Sequence, residues 1–221
     1  MTEQRLSLNN SNQIKYIIFD VFETLIQPHV KHHPFRQLLK WAREYGRQAL
    51  DGDARTVMTI NGGVRAISNA LGISPSDRFV ESIENQIDRE ISHLTLFDDV
   101  TNTLNDLQSR GIHVGLCSNL AQPYGIAIEK LLSELDAKKF LSYELGTIKP
   151  EPQIYKEILS SFNCAPEECL FVGDSFEADY AGPIALGMGA RQLNRYGPPD
   201  QHQISSLFEV LKYLDSDHRS A

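Results

Sequence analysis

Long apolar runs are missing from this sequence, and no stretch approaches the ~20 residues that a membrane-spanning helix requires. The opening segment, residues 1–13, is polar and rich in Asn and Ser, so it lacks the apolar stretch of a secretory signal. It reads as a loosely ordered leader, with structure beginning at Ile14. Cysteine is scarce: Cys117, Cys164 and Cys169 are odd in number and carry no zinc-like spacing. That excludes a disulfide framework and suits buried, reduced thiols in a cytoplasmic protein. Runs of Lys or Arg are absent too, and 21 Lys+Arg against 29 Asp+Glu leave a net charge of -8. This balance argues against nucleic acid as the main partner. An acidic chain that binds a phosphate needs local positive charge or a metal.

What remains, 41% hydrophobic and 23% charged over 221 residues, suits one core domain carrying a smaller insertion. Tyr16-Ile17-Ile18-Phe19 is a short apolar run ending at Asp20. Ile112 to Cys117 runs into Ser118-Asn119, and Cys169 to Val172 runs into Gly173-Asp174. Such runs predict strands buried on both faces of a parallel sheet. Between them, Val100, Leu104 and Leu107 repeat at helical spacing before a stop at Gly111. Ile154, Ile158, Leu159 and Phe162 form a second stripe. The alternation predicts an α/β fold with a doubly wound parallel sheet. Ligands of such sheets bind beyond the carboxyl ends of the strands, so Asp20, Ser118, Asn119 and Asp174 are expected to converge.

One connection is too long. About seventy residues follow Thr24 before the next core helix, against the ~2–6 of an ordinary loop. Helical stripes fill it: Phe35, Leu38, Leu39 and Ala42, then Val64, Ile67 and Leu71, then Phe79 to Leu94. The last is read as opened by Ser74-Pro75-Ser76-Asp77, a capping box with Pro75 at the first helical position. The expected organisation is a polar tail, residues 1–13; a core, residues 14–28 and 95–221; and a helical bundle, residues 29–94, lying over the strand ends. A final helix is expected near Ile204 to Leu214, after Gly197-Pro198-Pro199.

The polar groups have ordinary readings when taken singly. Asp20 after a strand can cap the next turn, although Thr24 four residues on brackets a short loop with it. Asp174, Glu177 and Asp179 crowd three carboxylates into six residues. They repel one another unless a cation is present, or they serve an acidic helix start. A hard cation such as Mg²⁺ answers the first case. Lys149 before Pro150 is most simply solvated, and Ser118 is most simply a helix cap.

Taken together and in this order, the four segments resemble the haloacid dehalogenase-like hydrolase superfamily, from Ile14 to about Asn194. Asp20-Val21-Phe22-Glu23-Thr24 is similar to the nucleophile motif, and Ser118-Asn119 to the second motif. Lys149-Pro150 is similar to the third, and Gly173-Asp174 with Asp179 to the acidic fourth. The resemblance implies a Rossmann-like core with a small helical-bundle cap inserted after the first motif. It implies Asp20 as a nucleophile that forms a covalent intermediate. It also implies Thr24, Ser118, Asn119 and Lys149 around the transferring group. Mg²⁺ would be held by Asp20, the Phe22 carbonyl and Asp174, with Asp179 in support.

The likeness breaks at Phe22. Phosphatases of the superfamily carry a second Asp there, which protonates the leaving alcohol, and such an acid is worth ~10²–10⁴-fold. Dehalogenases also carry an aromatic residue at this position, but have Ser in place of the metal-binding Asp, whereas this chain keeps Asp174. Phosphonatases need a cap lysine, and only Lys31 and Lys40 are available. The expectation is a Mg²⁺-dependent hydrolase of a small phosphorylated metabolite with atypical acid/base chemistry. The rivals are a 2-haloacid dehalogenase and a non-catalytic member that binds a phosphorylated ligand or a protein. Glu23 is a candidate substitute acid, although an extended loop would turn it away from Phe22. Arg36, Arg43, Arg47, Arg55 and Arg65 are candidate anion contacts from the insertion. His29, His32 and His33 read as a polar hinge before Pro34.

Overall fold

The computed structural model describes residues 14–217, and the leader expected at residues 1–13 lies outside them. The chain opens with β1 (Tyr16–Phe19) and β2 (Ile26–Pro28), then four helices: α1 (Pro34–Glu44), α2 (Asp53–Thr59), α3 (Val64–Ala70) and α4 (Asp77–Ser92). It continues through β3 (Leu94–Leu96), α5 (Val100–Ser109), β4 (His113–Ser118), α6 (Gly125–Leu131), β5 (Ala137–Leu141) and α7 (Ser142–Leu145). It closes with α8 (Pro152–Phe162), β6 (Cys169–Gly173), α9 (Gly182–Ala185), β7 (Gly189–Leu193), β8 (Gln203–Ile204) and α10 (Phe208–Asp217).

Six strands form one sheet in the order β5-β4-β1-β6-β7-β8, and every pairing in it is parallel. Successive side chains of a strand point to opposite faces, and β1 shows the result. Ile17 and Phe19 pack with Leu104 and Leu107 of α5, Ile128 of α6 and Val210 of α10. Ile18, between them, packs with Ile154, Tyr155 and Ile158 of α8. The sheet is covered on both sides, as the continuous apolar runs predicted. β1 lies between β4 and β6, whose connections leave in opposite directions, so its carboxyl end opens on the switch-point crevice.

Helices α1 to α4 are inserted between β2 and β3, which pair antiparallel. They share a separate apolar cluster that includes Leu38, Val57, Ile67, Val80, Ile83 and Ile87. The start of α4 differs from the sequence reading. Ser76 is the cap, its hydroxyl accepting from the Phe79 N–H, and Pro75 stays outside, where its carbonyl accepts from Arg65 Nη1 at 2.9 Å. The last helix also starts later than expected. Gln203 and Ile204 are drawn into an edge strand beside Gln192 and Leu193. Ser205 N and Oγ then donate to Glu209 Oε1 at 2.9 and 2.6 Å, which fixes the first turn of α10. Among the described residues no helix is long and apolar enough to cross a membrane. Cys117 and Cys169 are buried, Cys164 is half-buried, and all three are free.

One buried ion pair ties the core together. Arg195 donates from Nη1 and Nη2 to the two Asp99 oxygens, both at 3.0 Å, and from Nη2 to the Thr24 carbonyl at 2.7 Å. Asp99 also accepts from Ser206 Oγ and Leu207 N, so one carboxylate joins the start of α5 to the start of α10. Burial alone would raise the Asp99 carboxyl, but Arg195 and the Leu207 N–H hold it below its ordinary value. Arg195→Met leaves Asp99 buried without its cation and should cost about 3–5 kcal/mol. Because the folded pKa is depressed, this stabilisation is complete above the unfolded value of about 3.9 and is lost as pH falls through the folded value. Urea unfolding at pH 7 and pH 3 checks this: the gap between wild type and variant should narrow at the lower pH. An equal gap at both would show that the pair is not its source.

Candidate active site

β1 delivers Asp20 at its carboxyl end, where the Asp20 N–H continues the ladder by donating to the Val172 carbonyl at 2.9 Å. Lys149 enters from the loop before α8. Its ammonium donates to Asp20 Oδ1 at 2.7 Å, Asp179 Oδ1 at 2.7 Å and the Cys117 carbonyl at 3.0 Å. Its side chain is only 2% exposed, the reverse of the solvated role a lone lysine suggests. Asn119, just past β4, holds the backbone of that loop: Nδ2 donates to the Lys149 carbonyl at 2.7 Å and Oδ1 accepts from the Lys149 N–H at 2.8 Å.

Asp179 comes from a π-helical turn, Phe176–Ala181, that follows β6. Its Oδ2 accepts from the Ser175 N–H at 3.0 Å, and Tyr155 Oη ties the turn to α8 by donating to the Ala178 carbonyl at 2.6 Å. Gly173 makes room for this arrangement, since a Cβ there would lie 2.4 Å from Asp179 Cγ. Gly173→Ala should therefore push Asp179 off Lys149 and destabilise the protein by about 1–3 kcal/mol. Thermal melts and a crystal structure check it, and an unmoved Asp179 with unchanged stability would refute it.

Asp20, Asp174 and Asp179 each place a carboxylate oxygen within 4.8 Å of the others. Lys149 offers one positive charge against these three. Burial raises the Asp20 carboxyl above its ordinary range, with Lys149 opposing and Asp179 adding to the rise. Asp174 is raised as well, by desolvation first and then by the Asp179 charge. Burial works against the Lys149 ammonium, yet Asp20 and Asp179 raise its pKa. An all-oxygen set with surplus negative charge fits a hard divalent cation of the Mg²⁺ kind. Asp179 already spends its two oxygens on Lys149 and Ser175, and Asp174 is the one carboxylate of the three that Lys149 does not touch.

The remaining candidates are spread around this centre. Ser118 is buried at the end of β4. Thr24 is fully buried, and its Oγ1 has no hydrogen-bond partner. The turn from Asp20 is closed by Leu25 N and Ile26 N on the Val21 carbonyl, both at 2.8 Å, and by Glu23 N on the Ile26 carbonyl at 2.8 Å. It is thus not the extended loop that the sequence suggested, and Glu23 adopts a left-handed φ of 62°. Glu23 meets Lys31 in an ion pair and lines one cavity with Asp174 and another with Phe22. Arg47 is committed to Asp53, Arg55 to Glu151 and Arg65 to Asp77. His29 bonds Thr95 through its ring, while His32 and His33 donate backbone N–H groups to Glu90. Among the described residues, the only group of three or more His, Cys, Asp or Glu side chains placed to share a metal is the aspartate trio.

A cleft of about 580 Å³ separates the inserted helices from the strand ends, lined in part by Phe22, Phe35, Met58, Asn119, Leu120 and Tyr124. Several links span the two sides, the Lys31–Glu23 ion pair among them. Ser142 Oγ donates to the Met58 carbonyl at 2.6 Å. Arg55 donates to Glu151 Oε1 at 2.6 Å, to its Oε2 at 3.0 Å and to the Gly146 carbonyl at 2.9 Å. Tyr124 Oη donates to Glu90. Sequence reasoning overlooked Glu90 and Asn119's hold on Lys149. Glu90 did leave a signal: it falls three residues after Ile87, on the buried face of α4.

Comparison with known proteins adds to this picture. The profile of a family described as haloacid dehalogenase-like hydrolase matches residues 14–187. Haloacid dehalogenase-like hydrolase domain-containing protein 3 of Homo sapiens is 29% identical over 153 residues, covering 62% of this chain and 59% of its own. A glyceraldehyde 3-phosphate phosphatase of Methanothermobacter thermautotrophicus is 37% identical over 106 residues, 44% of each chain. The chain thus spans about half the length of the curated relatives it matches. A solved HAD phosphatase from Thermococcus onnurineus superposes with a TM-score of 0.62 at 21% identity, covering 91% of this chain and 98% of its own. That likeness is one of fold.

Proposed function

Because the chain belongs to the haloacid dehalogenase-like hydrolase family, we propose that it is a Mg²⁺-dependent hydrolase of a small phosphorylated metabolite, with Asp20 as the nucleophile. The observation that carries this reading is the Asp20 carboxylate at the end of the central strand, paired with Lys149 beside Asp174 and Asp179. The named phosphatase relative supports a phosphorylated substrate. In this reading residues 14–28 and 95–221 are the core and residues 29–94 the cap over its cleft.

Asp20 attacks phosphorus, the ester oxygen departs, and water then releases phosphate from the aspartyl phosphate. Lys149 opposes the burial that raises the Asp20 carboxyl and offsets charge on the transferring group, while Asp179 and Asn119 hold Lys149 in place. Ser118, Thr24 and the backbone at Asn119 surround the phosphoryl oxygens. Asp20, Asp174 and the Phe22 carbonyl would hold Mg²⁺, with Asp179 in support, and the ion would ease repulsion between an anionic nucleophile and an anionic substrate. Asp174 weighs against dehalogenation, in which a halide leaves without a cation's help.

The test is turnover of p-nitrophenyl phosphate, acetyl phosphate and 2-chloropropionate, each with Mg²⁺ and with EDTA. Mg²⁺-dependent phosphate release, lost in Asp174→Asn, is the expected result. Halide release that resists EDTA would overturn it in favour of a dehalogenase. No turnover of any substrate, together with Mg²⁺ binding that requires Asp174, would leave a binding protein.

A further inference from the structure

Phe22 does two things at once. It removes the acid that would protonate a leaving alcohol, and it puts an aromatic ring into the wall of the cleft. That ring meets Tyr124 edge-on, with centroids 6.0 Å apart at 81°, and Phe35 tilts against Tyr124 at 6.3 Å and 58°. All three rings are half-buried. Val57, Met58, Leu120 and Ala121 continue the apolar lining.

Several polar groups of the cleft are already engaged. Asn119 is bonded to the Lys149 backbone, Glu90 to the His32 and His33 N–H groups and Tyr124 Oη, and Glu23 to Lys31. Arg36 and His33 also line the cleft, from exposed positions, but a polyol or sugar would bury most of its hydroxyls against engaged groups and apolar walls, a poor exchange. A flat apolar group would gain area and edge-to-face contacts. A volume of about 580 Å³ is of the size that takes a small organic molecule.

Resting on the phosphatase reading above, we infer that the substrate is an aryl phosphate, its ring seated on the Phe22–Tyr124–Phe35 wall. The chemistry of departure agrees. A phenolic oxygen has a pKa of roughly 10, against 15.7 for water, so an aryloxide leaves without a proton donor. The Asp20–phosphorus bond forms, the phosphorus–oxygen bond of the ester breaks, and the aryloxide keeps the electron pair and takes its proton from solvent. Phe22 is then a specificity-determining residue.

The experiment uses the full chain with Mg²⁺ and three probe classes: substituted phenyl phosphates, glycerol 3-phosphate and acetyl phosphate. Aryl esters should exceed glycerol 3-phosphate in kcat/KM by at least about 10³-fold, with kcat/KM rising steeply as the phenol becomes more acidic. Phe22→Leu and Phe35→Leu, which keep the site without an acid, should each lower the aryl-to-acetyl selectivity ratio about 10-fold. The second variant guards against misfolding of the first. Acetyl phosphate turnover with no preference for aryl esters, and ratios unmoved in both variants, would overturn this inference and leave the phosphatase reading standing. No turnover of any probe by the wild type would overturn the phosphatase reading itself.

Discussion

Asp20→Asn should lower kcat/KM for any phosphorylated substrate by at least about 10⁴-fold while leaving the protein folded. Asparagine keeps the shape of the side chain and loses the attacking charge. Lys149 retains Asp179 and the Cys117 carbonyl as partners, so no buried cation is orphaned. Stability should change in a direction that is easily misjudged. The folded Asp20 carboxyl lies above its unfolded value because burial outweighs Lys149. A carboxyl raised in the folded state favours folding at low pH, and that contribution is lost as pH climbs through the window between the two values. The variant escapes the loss. In EDTA, its Tm relative to wild type should improve between pH 4 and pH 8. Retained activity above about 1% would sink the nucleophile assignment, and a Tm difference that worsens with pH would contradict the electrostatic account.

The second large effect is a gain. Phe22→Asp supplies the carboxyl that the site lacks and should raise turnover of unactivated alkyl phosphates by about 10²–10³-fold, with far less effect on aryl or acyl phosphates. The ring is half-buried at the cleft, so its loss removes lining rather than opening a closed core. The dependence of rate on leaving-group acidity should flatten accordingly. An unchanged alkyl rate in a folded, Mg²⁺-binding variant would mean that the missing acid is not what limits the enzyme.

The sheet was legible where strands are continuously apolar. Tyr16–Phe19, the run ending at Cys117 and the run ending at Val172 stand where the pattern put them. β5 was not, because Ala137-Lys138-Lys139 leaves only Phe140 and Leu141 buried. β7 and β8 carry Arg191, Gln192 and Gln203 toward the sheet edge, where polar residues are tolerated. Within the site, Asp20 and Asp174 could be named from position alone, since each directly follows a buried strand. Lys149 was set against Asp20 only through the family resemblance, and its bonds to Asp179 and the Cys117 carbonyl were not foreseen. Its three acceptors lie 30 to 129 residues away, and such a lysine looks in sequence like any other. The turn after Asp20 was misjudged because Glu23 takes a left-handed conformation that side chains of its kind seldom adopt.

Asn119 grips residue 149 by its main chain, through one N–H and one carbonyl. Location and charge at that position are therefore written at different places in the gene. A change at codon 149 alters what the loop presents while leaving it anchored, and a change at codon 119 sets an intact ammonium adrift. Substitutions at the two sites should be separable in their effects, one altering the chemistry delivered and the other its aim.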